Sequence, residues 1–158
     1  MAEKSEFGGL DHLNKRLGEI AANARTVKRP LISSAVYMLG SIEKNFQAQG
    51  RPRKWSPLNP RTLASRRKRK ATAGGDRQVR RGSRILIDTV RLKNSMSFNV
   101  EDESAEIGTN VVYAARHHFG YPGGKGRGRS KTPARPFLLV QAEDIRKIEE
   151  IFSRHLRK

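Results

Sequence analysis

The sequence predicts an α+β domain: two N-terminal helices and a C-terminal helix packed on a small antiparallel sheet, with flexible basic loops between them. Three observations predict it. Apolar residues recur at helical spacing near both ends of the chain, a short stretch after residue 95 alternates polar and apolar, and glycine- and proline-rich segments separate these regions. At 158 residues the chain has room for one domain. Its 35% hydrophobic share is lean but sufficient for one modest core.

The first helix is read from Leu10, Leu13, Leu17, Ile20 and Ala24, whose spacings of three and four place them on one stripe. Gly8-Gly9 ahead of it reads as a flexible entry, and residues 1–29 read as a helical extension to a single domain over 30–158. A second helix starts near Pro30, which a first turn tolerates because its missing N–H has no partner there. Its stripe is Ile32, Ala35, Val36, Leu39, Ile42 and Phe46, and Gly50 can end it. Three prolines between residues 51 and 60 then forbid a regular element throughout, and Trp55 is expected to fold back and plug the edge of the core. Asn59 caps a short third helix with Pro60 at its first position. The run Arg66, Arg67, Lys68, Arg69, Lys70 carries five like charges in succession, so this helix is expected to fray there, and residues 71–83 read as mobile.

Order resumes at Ile85-Leu86-Ile87, and a short helical turn over 88–93 points Leu92 inward. Residues 95–108 read as a β-hairpin about a Glu101-Asp102-Glu103 turn, because Ser95 to Val100 alternates with period two. Asn110 to Phe119 fits either a strand or one to two helical turns. Gly120 to Lys131, with five glycines, reads as a flexible basic arm, and Phe137 to Val140 as a short buried strand. The C-terminal helix has Ile145, Ile148, Ile151, Phe152 and Leu156 on one face. Glu143 and Asp144 open it and Arg154, Arg157 and Lys158 close it, which suits the helix dipole. The longest helix and this one are expected to cover one face of the sheet.

Charge is the most informative feature. Thirty-three Lys and Arg stand against 15 Asp and Glu, a formal net charge of +18. Residues 51–93 carry +13, residues 116–135 carry +6, and the remainder carries −1. Two segments therefore hold the whole excess, corresponding to basic loops at about 64–84 and 120–132. A localised cationic field attracts polyanions: nucleic acid, an anionic membrane or an acidic protein surface. The candidate contacts are Arg66, Arg67, Lys68, Arg69, Lys70, Arg77, Arg80 and Arg81, with Lys125, Arg127, Arg129 and Lys131 on the glycine-rich arm. No aromatic stacking pair or recognised nucleic-acid motif accompanies them, which argues against base-specific reading.

Signals for chemistry are weak. There is no cysteine, so disulfides, thiolate metal sites and cysteine catalysis are excluded. Of the four histidines, the adjacent pair His117-His118 would face opposite ways on a strand, with no carboxylate close by in sequence. The Gly123–Ser130 segment lacks the spacing of a phosphate-binding loop. The acids cluster at helix ends and in the hairpin turn, and no serine sits in a nucleophile elbow. No catalytic residue, cofactor or metal is predicted. The first residues, MAEKSEFGGLDHLNKRL, lack the apolar core of a signal peptide, and no stretch approaches the ~18 apolar residues of a membrane span. An intracellular protein with no membrane partner is expected.

Four blocks in order carry a family resemblance. The first is Asn45-Phe46, Gly50-Arg51-Pro52, Trp55, Leu58 and Thr62. The second is Ile85-Leu86, Thr89, Arg91-Leu92 and Ser95. The third is Ile107-Gly108-Thr109-Asn110, Tyr113-Ala114 and His117-His118-Phe119-Gly120. The last is Pro133-Ala134-Arg135-Pro136-Phe137-Leu138 leading to Asp144. Over roughly residues 35–156 the succession resembles the phage virion morphogenesis family, the Mu-like tail completion proteins. Val90 stands where the pattern has a glycine, and Arg66–Lys70 is more basic than the pattern requires.

The resemblance implies a structural protein, not an enzyme. It would complete the tail and join it to the head in the virion neck, assembled in the bacterial host cytoplasm as a ring around the DNA channel. Six-fold symmetry is expected by analogy. The implied partners are copies of itself and neighbouring neck, connector and tail-tube or terminator proteins, with non-specific DNA contact also open. Trp55, Tyr113, Phe119 and Phe137 are then expected to fix loops to the core, and Arg135 is a candidate for an intersubunit ion pair. The alternative is a small basic nucleic-acid-binding protein of ribosome-associated or nucleoid type.

Overall fold

The computed structural model of the chain describes residues 3–72, 84–125 and 130–157, with residues 3–8 and 67–72 described by their backbone alone. Six helices and two strands are present among them: α1 (Glu3–Ala24), α2 (Lys28–Ala48), α3 (Pro60–Thr72), α4 (Arg91–Asn94), β1 (Met96–Val100), β2 (Ala105–Thr109), α5 (Ala114–Phe119) and α6 (Ala142–Leu156). The architecture is α+β. Helix α2 is its spine, packing on the hairpin along one side and on α6 along another.

Helix α2 takes this position because its inward face carries a row of apolar side chains, with Ser34, Ser41 and Asn45 buried among them. Ala35, Met38, Ile42 and Phe46 are all buried. Phe46 lies at the centre of a core with Trp55, Ile85, Ile87, Leu92, Val111, Ala114 and Phe137. Its ring meets Trp55 edge-on at 5.7 Å and Phe137 at 5.5 Å, separations at which aromatic pairs attract. The helix ends where Gln49 turns left-handed (φ 58°) and the Gly50 N–H returns to the Asn45 carbonyl at 2.9 Å. Gly50, at φ 110°, is required there: a Cβ would stand 2.5 Å from the Arg53 carbonyl oxygen and 2.7 Å from the Trp55 nitrogen.

The hairpin forms in the register Met96 opposite Thr109 to Val100 opposite Ala105. At its base the Ser95 and Thr109 hydroxyls lie 2.6 Å apart. Among the described residues it is the whole sheet. The strand expected at Phe137–Val140 does not form, because the carbonyls there are occupied otherwise. Pro136 O accepts from Trp55 Nε1 at 2.9 Å and Phe137 O accepts from Asn45 Nδ2 at 2.9 Å. Side chains satisfy this segment in place of a ladder.

Other expectations also need correction. Gly8-Gly9 lies inside α1, not ahead of it. The stripe of α1 is not buried: Leu10, Leu13, Leu17 and Ile20 are 38–56% exposed. Helix α3 continues through the basic run to Thr72. Residues 110–119 resolve into a turn and helix α5. The glycine-rich arm is closed at its base, where Tyr121 and Thr132 exchange two backbone hydrogen bonds of 2.8 Å. Arg116 reinforces this closure, donating to Thr132 Oγ1 at 3.0 Å and lying 4.7 Å from the Tyr121 ring centre.

Candidate functional site: a cationic groove framed by buried arginines

The two basic segments of the sequence meet in one groove of about 1180 Å³. Its walls are the entry to α3 (Pro57–Thr62), the approach to α4, Tyr113 and His117, and residues 130–135. Among the described residues five cationic side chains line it: Arg61, Arg66, Arg91, Lys131 and Arg135. Asp88 is the one carboxylate among its described lining residues, and it faces Arg66 at 3.6 Å.

Two of these arginines are part of the frame. Arg66, the first of the basic run, is only 8% exposed, and its guanidinium donates to the Arg84 carbonyl at 2.8 Å. Within this chain Arg66, expected as a DNA or neck-protein contact, ties α3 to the segment before α4. Arg135, expected in an intersubunit ion pair, is 5% exposed and donates to Ser56 O and Pro57 O, both at 3.0 Å. Its own N–H donates to His117 O at 2.8 Å. Arg135 thus welds the Pro-rich loop to α5 inside one subunit. Burial, and then the charge of Arg66, lowers its pKa.

His117 also lines the groove. Burial first, then the charges of Arg135 and Arg116, hold it below its ordinary pKa of 6.5. Its Nδ1 is buried without a hydrogen-bond partner among the described residues. His118 is lowered too, by burial, with its ring 5.0 Å from Phe137. For both rings the fold therefore favours the neutral form.

A second frame fixes the loop after α2. Arg51 donates to Asn45 Oδ1 at 2.8 Å, to Ser41 Oγ at 2.8 Å and to Glu143 at 2.6 Å. One guanidinium thereby links α2, the loop and the start of α6. Asp144, fully buried, accepts from the Gln141 N–H at 2.9 Å and closes the first turn of α6.

Of the expected anchors, Trp55 and Phe137 are in the core, whereas Tyr113 is 41% and Phe119 78% exposed. Phe119 holds no loop to the core. It stacks edge-on against His118 at 4.6 Å and presents its ring outward. Arg67, Lys68, Arg69 and Lys70 continue α3 and are described by their backbone alone. Lys125 is exposed on the arm. Arg77, Arg80, Arg81, Arg127 and Arg129 lie outside the described residues. Arg61 and Arg91 are groove residues that sequence reasoning missed. Both lie in the +13 segment, but no pattern separates them from its other cations.

Lined this way, the groove is a surface with an excess of positive charge. No group of three or more metal-ligating side chains occurs among the described residues. No described helix is long and apolar enough to cross a membrane. The chain belongs to the phage virion morphogenesis family, whose sequence model matches residues 9–157. It is 33% identical over 127 residues to the Mu-like prophage FluMu G protein 2 of Haemophilus influenzae, an alignment covering 80% of this chain and 76% of that protein. No solved structure matches it. Membership assigns the chain a structural role in building the phage particle and associates it with the virion.

Proposed function

We propose that this chain completes the phage tail and joins it to the head, standing in the neck as a ring of copies around the DNA channel. Family membership supports a part in particle assembly, and the observation that carries the finer reading is the meeting of both basic segments in one groove. In a ring, the exposed groove cations Arg61, Arg91 and Lys131 repeat around the axis with each copy and present a positive surface to duplex DNA or to acidic neck proteins. The protein does no chemistry in this reading. Its loops dock and order against neighbours.

The test replaces Arg67, Lys68, Arg69 and Lys70 together by serine and leaves the structural Arg66 intact. Producing cells are expected to accumulate separate DNA-filled heads and tails, counted by electron microscopy. Joined, infectious particles at normal yield would overturn the role of this run. Salt-dependent duplex binding by an isolated monomer that never enters particles would favour the nucleic-acid-binding alternative.

A further inference from the structure

Helix α1 is held at one end. The Asn23 carbonyl meets His155 Nε2 at 3.1 Å, and α1 packs against α6, while the stripe Leu10, Leu13, Leu17 and Ile20 faces solvent. The composition of α1 does not make it self-sufficient. Gly8, Gly9 and Gly18 each weaken a helix by about 1 kcal/mol relative to alanine, and helices in proteins owe most of their stability to packing of an apolar face. A helix so dependent on burial, with its apolar face uncovered, lacks its packing partner.

A matching uncovered face exists on α2. Ile32 and Val36 are 41% and 55% exposed, and they share a row with Gly40, where a Cβ would meet nothing within 4 Å. Rows at i, i+4 and i+8 form one ridge of a helix, and a glycine in the row lets a second helix approach closely. At 1.5 Å per residue the stripe from Leu10 to Ile20 is about 15 Å long and the row from Ile32 to Gly40 about 12 Å. The registers correspond as well. Counted outward from the connection at residues 25–27, Ile20 falls level with Ile32, and Leu17 with Val36 and Leu13 with Gly40 to within one residue, as in an antiparallel helix pair. Yet α1 does not lie on the α2 of its own chain, since both faces are exposed.

We propose that α1 is an exchanged arm, its Leu10–Leu13–Leu17–Ile20 face docking on the Ile32–Val36–Gly40 face of the next copy. This deepens the ring reading and rests on it for the head-to-tail sense of the exchange. In a ring each copy gives its helix to one neighbour and receives one from the other, so the contact is heterologous and propagates until it closes.

The absence of native cysteine makes the test direct. Full-length chains carrying Leu17→Cys with Val36→Cys are oxidised, as purified protein at high concentration and within particles, and run without reductant. A second pair, Leu13→Cys with Gly40→Cys, guards against a folding defect in the first. A ladder extending beyond two linked chains is expected. A product confined to one chain, or no linkage with either pair, overturns the exchange, and a ladder stopping at two overturns its head-to-tail sense. The two readings fail separately: absence of the chain from virions removes the neck function, whereas the ladder from purified protein still decides the exchange.

Discussion

Val90 has φ 60°, a left-handed conformation that a β-branched side chain adopts only under strain. It precedes α4, and the Asn94 N–H returns to its carbonyl at 3.0 Å, so the turn is fixed by the helix it starts. This is the position where the family pattern has a glycine, and the backbone shows why. Replacement by glycine and by alanine separates strain from packing, because both remove the isopropyl group. Val90→Gly is expected to be more stable than Val90→Ala by about 1 kcal/mol in urea denaturation. Equal stabilities would mean that the φ angle relaxes freely. Gly50 makes the converse case: an alanine Cβ there meets two backbone atoms, in the Arg53 and Trp55 peptides, that have no side-chain freedom to move aside. Gly50→Ala is expected to destabilise by about 2–4 kcal/mol, read as a drop in urea midpoint at constant slope. Arg135→Met keeps much of the stem but removes the charged hydrogen bonds to Ser56 O and Pro57 O. It should cost about 2–3 kcal/mol, and an unchanged midpoint would remove Arg135 from the frame.

Among the elements, those with a strong local signal were legible and those held by distant side chains were not. Helix α2, the hairpin and α6 announce themselves through periodicity, and Asn59 marks the start of α3, its Oδ1 accepting the Arg61 N–H at 2.9 Å. Residues 137–140 look like a strand because they are apolar, but Asn45 and Trp55, about ninety and eighty residues earlier, hold the carbonyls at 137 and 136 respectively, and no local pattern contains that. The groove was legible only as charge. That Arg66 and Arg135 turn inward depends on carbonyls at 84, 56 and 57, which become neighbours only on folding. The α1 stripe was legible as a helix, yet periodicity cannot say which chain covers it. Since α1 buries little within its own chain, deletion of residues 1–22 is expected to leave the urea midpoint of the remaining domain nearly unchanged, within about 1 kcal/mol. Helical circular dichroism should fall in proportion to the residues removed. A collapse of the domain would show that α1 belongs to the monomer core.

At the level of the whole molecule, the residues that carry the family resemblance are joints. Asn45, Arg51, Trp55 and Arg135 each connect segments far apart in sequence, so polar side chains clamp the small core alongside apolar burial. Such a frame is sensitive to pH through the histidines packed into it. His117 and His118 are both held below 6.5, so below that pH the unfolded chain binds protons that the folded chain does not. Stability is therefore fully present above about pH 6.5 and declines as pH falls toward the depressed folded values. Glu43, lowered from 4.5 chiefly by its hydrogen bond with Lys93, contributes stability that is lost only on the acid side of 4.5 and stays out of this window. The urea midpoint is expected to fall between pH 7.5 and 5.5. His117→Gln should flatten that fall because the burial and the two flanking guanidiniums then act on a side chain that takes up no proton. An equally steep profile in the variant would assign the dependence to His118, against Phe137, and a flat profile in the parent would show that neither ring is held neutral by the fold.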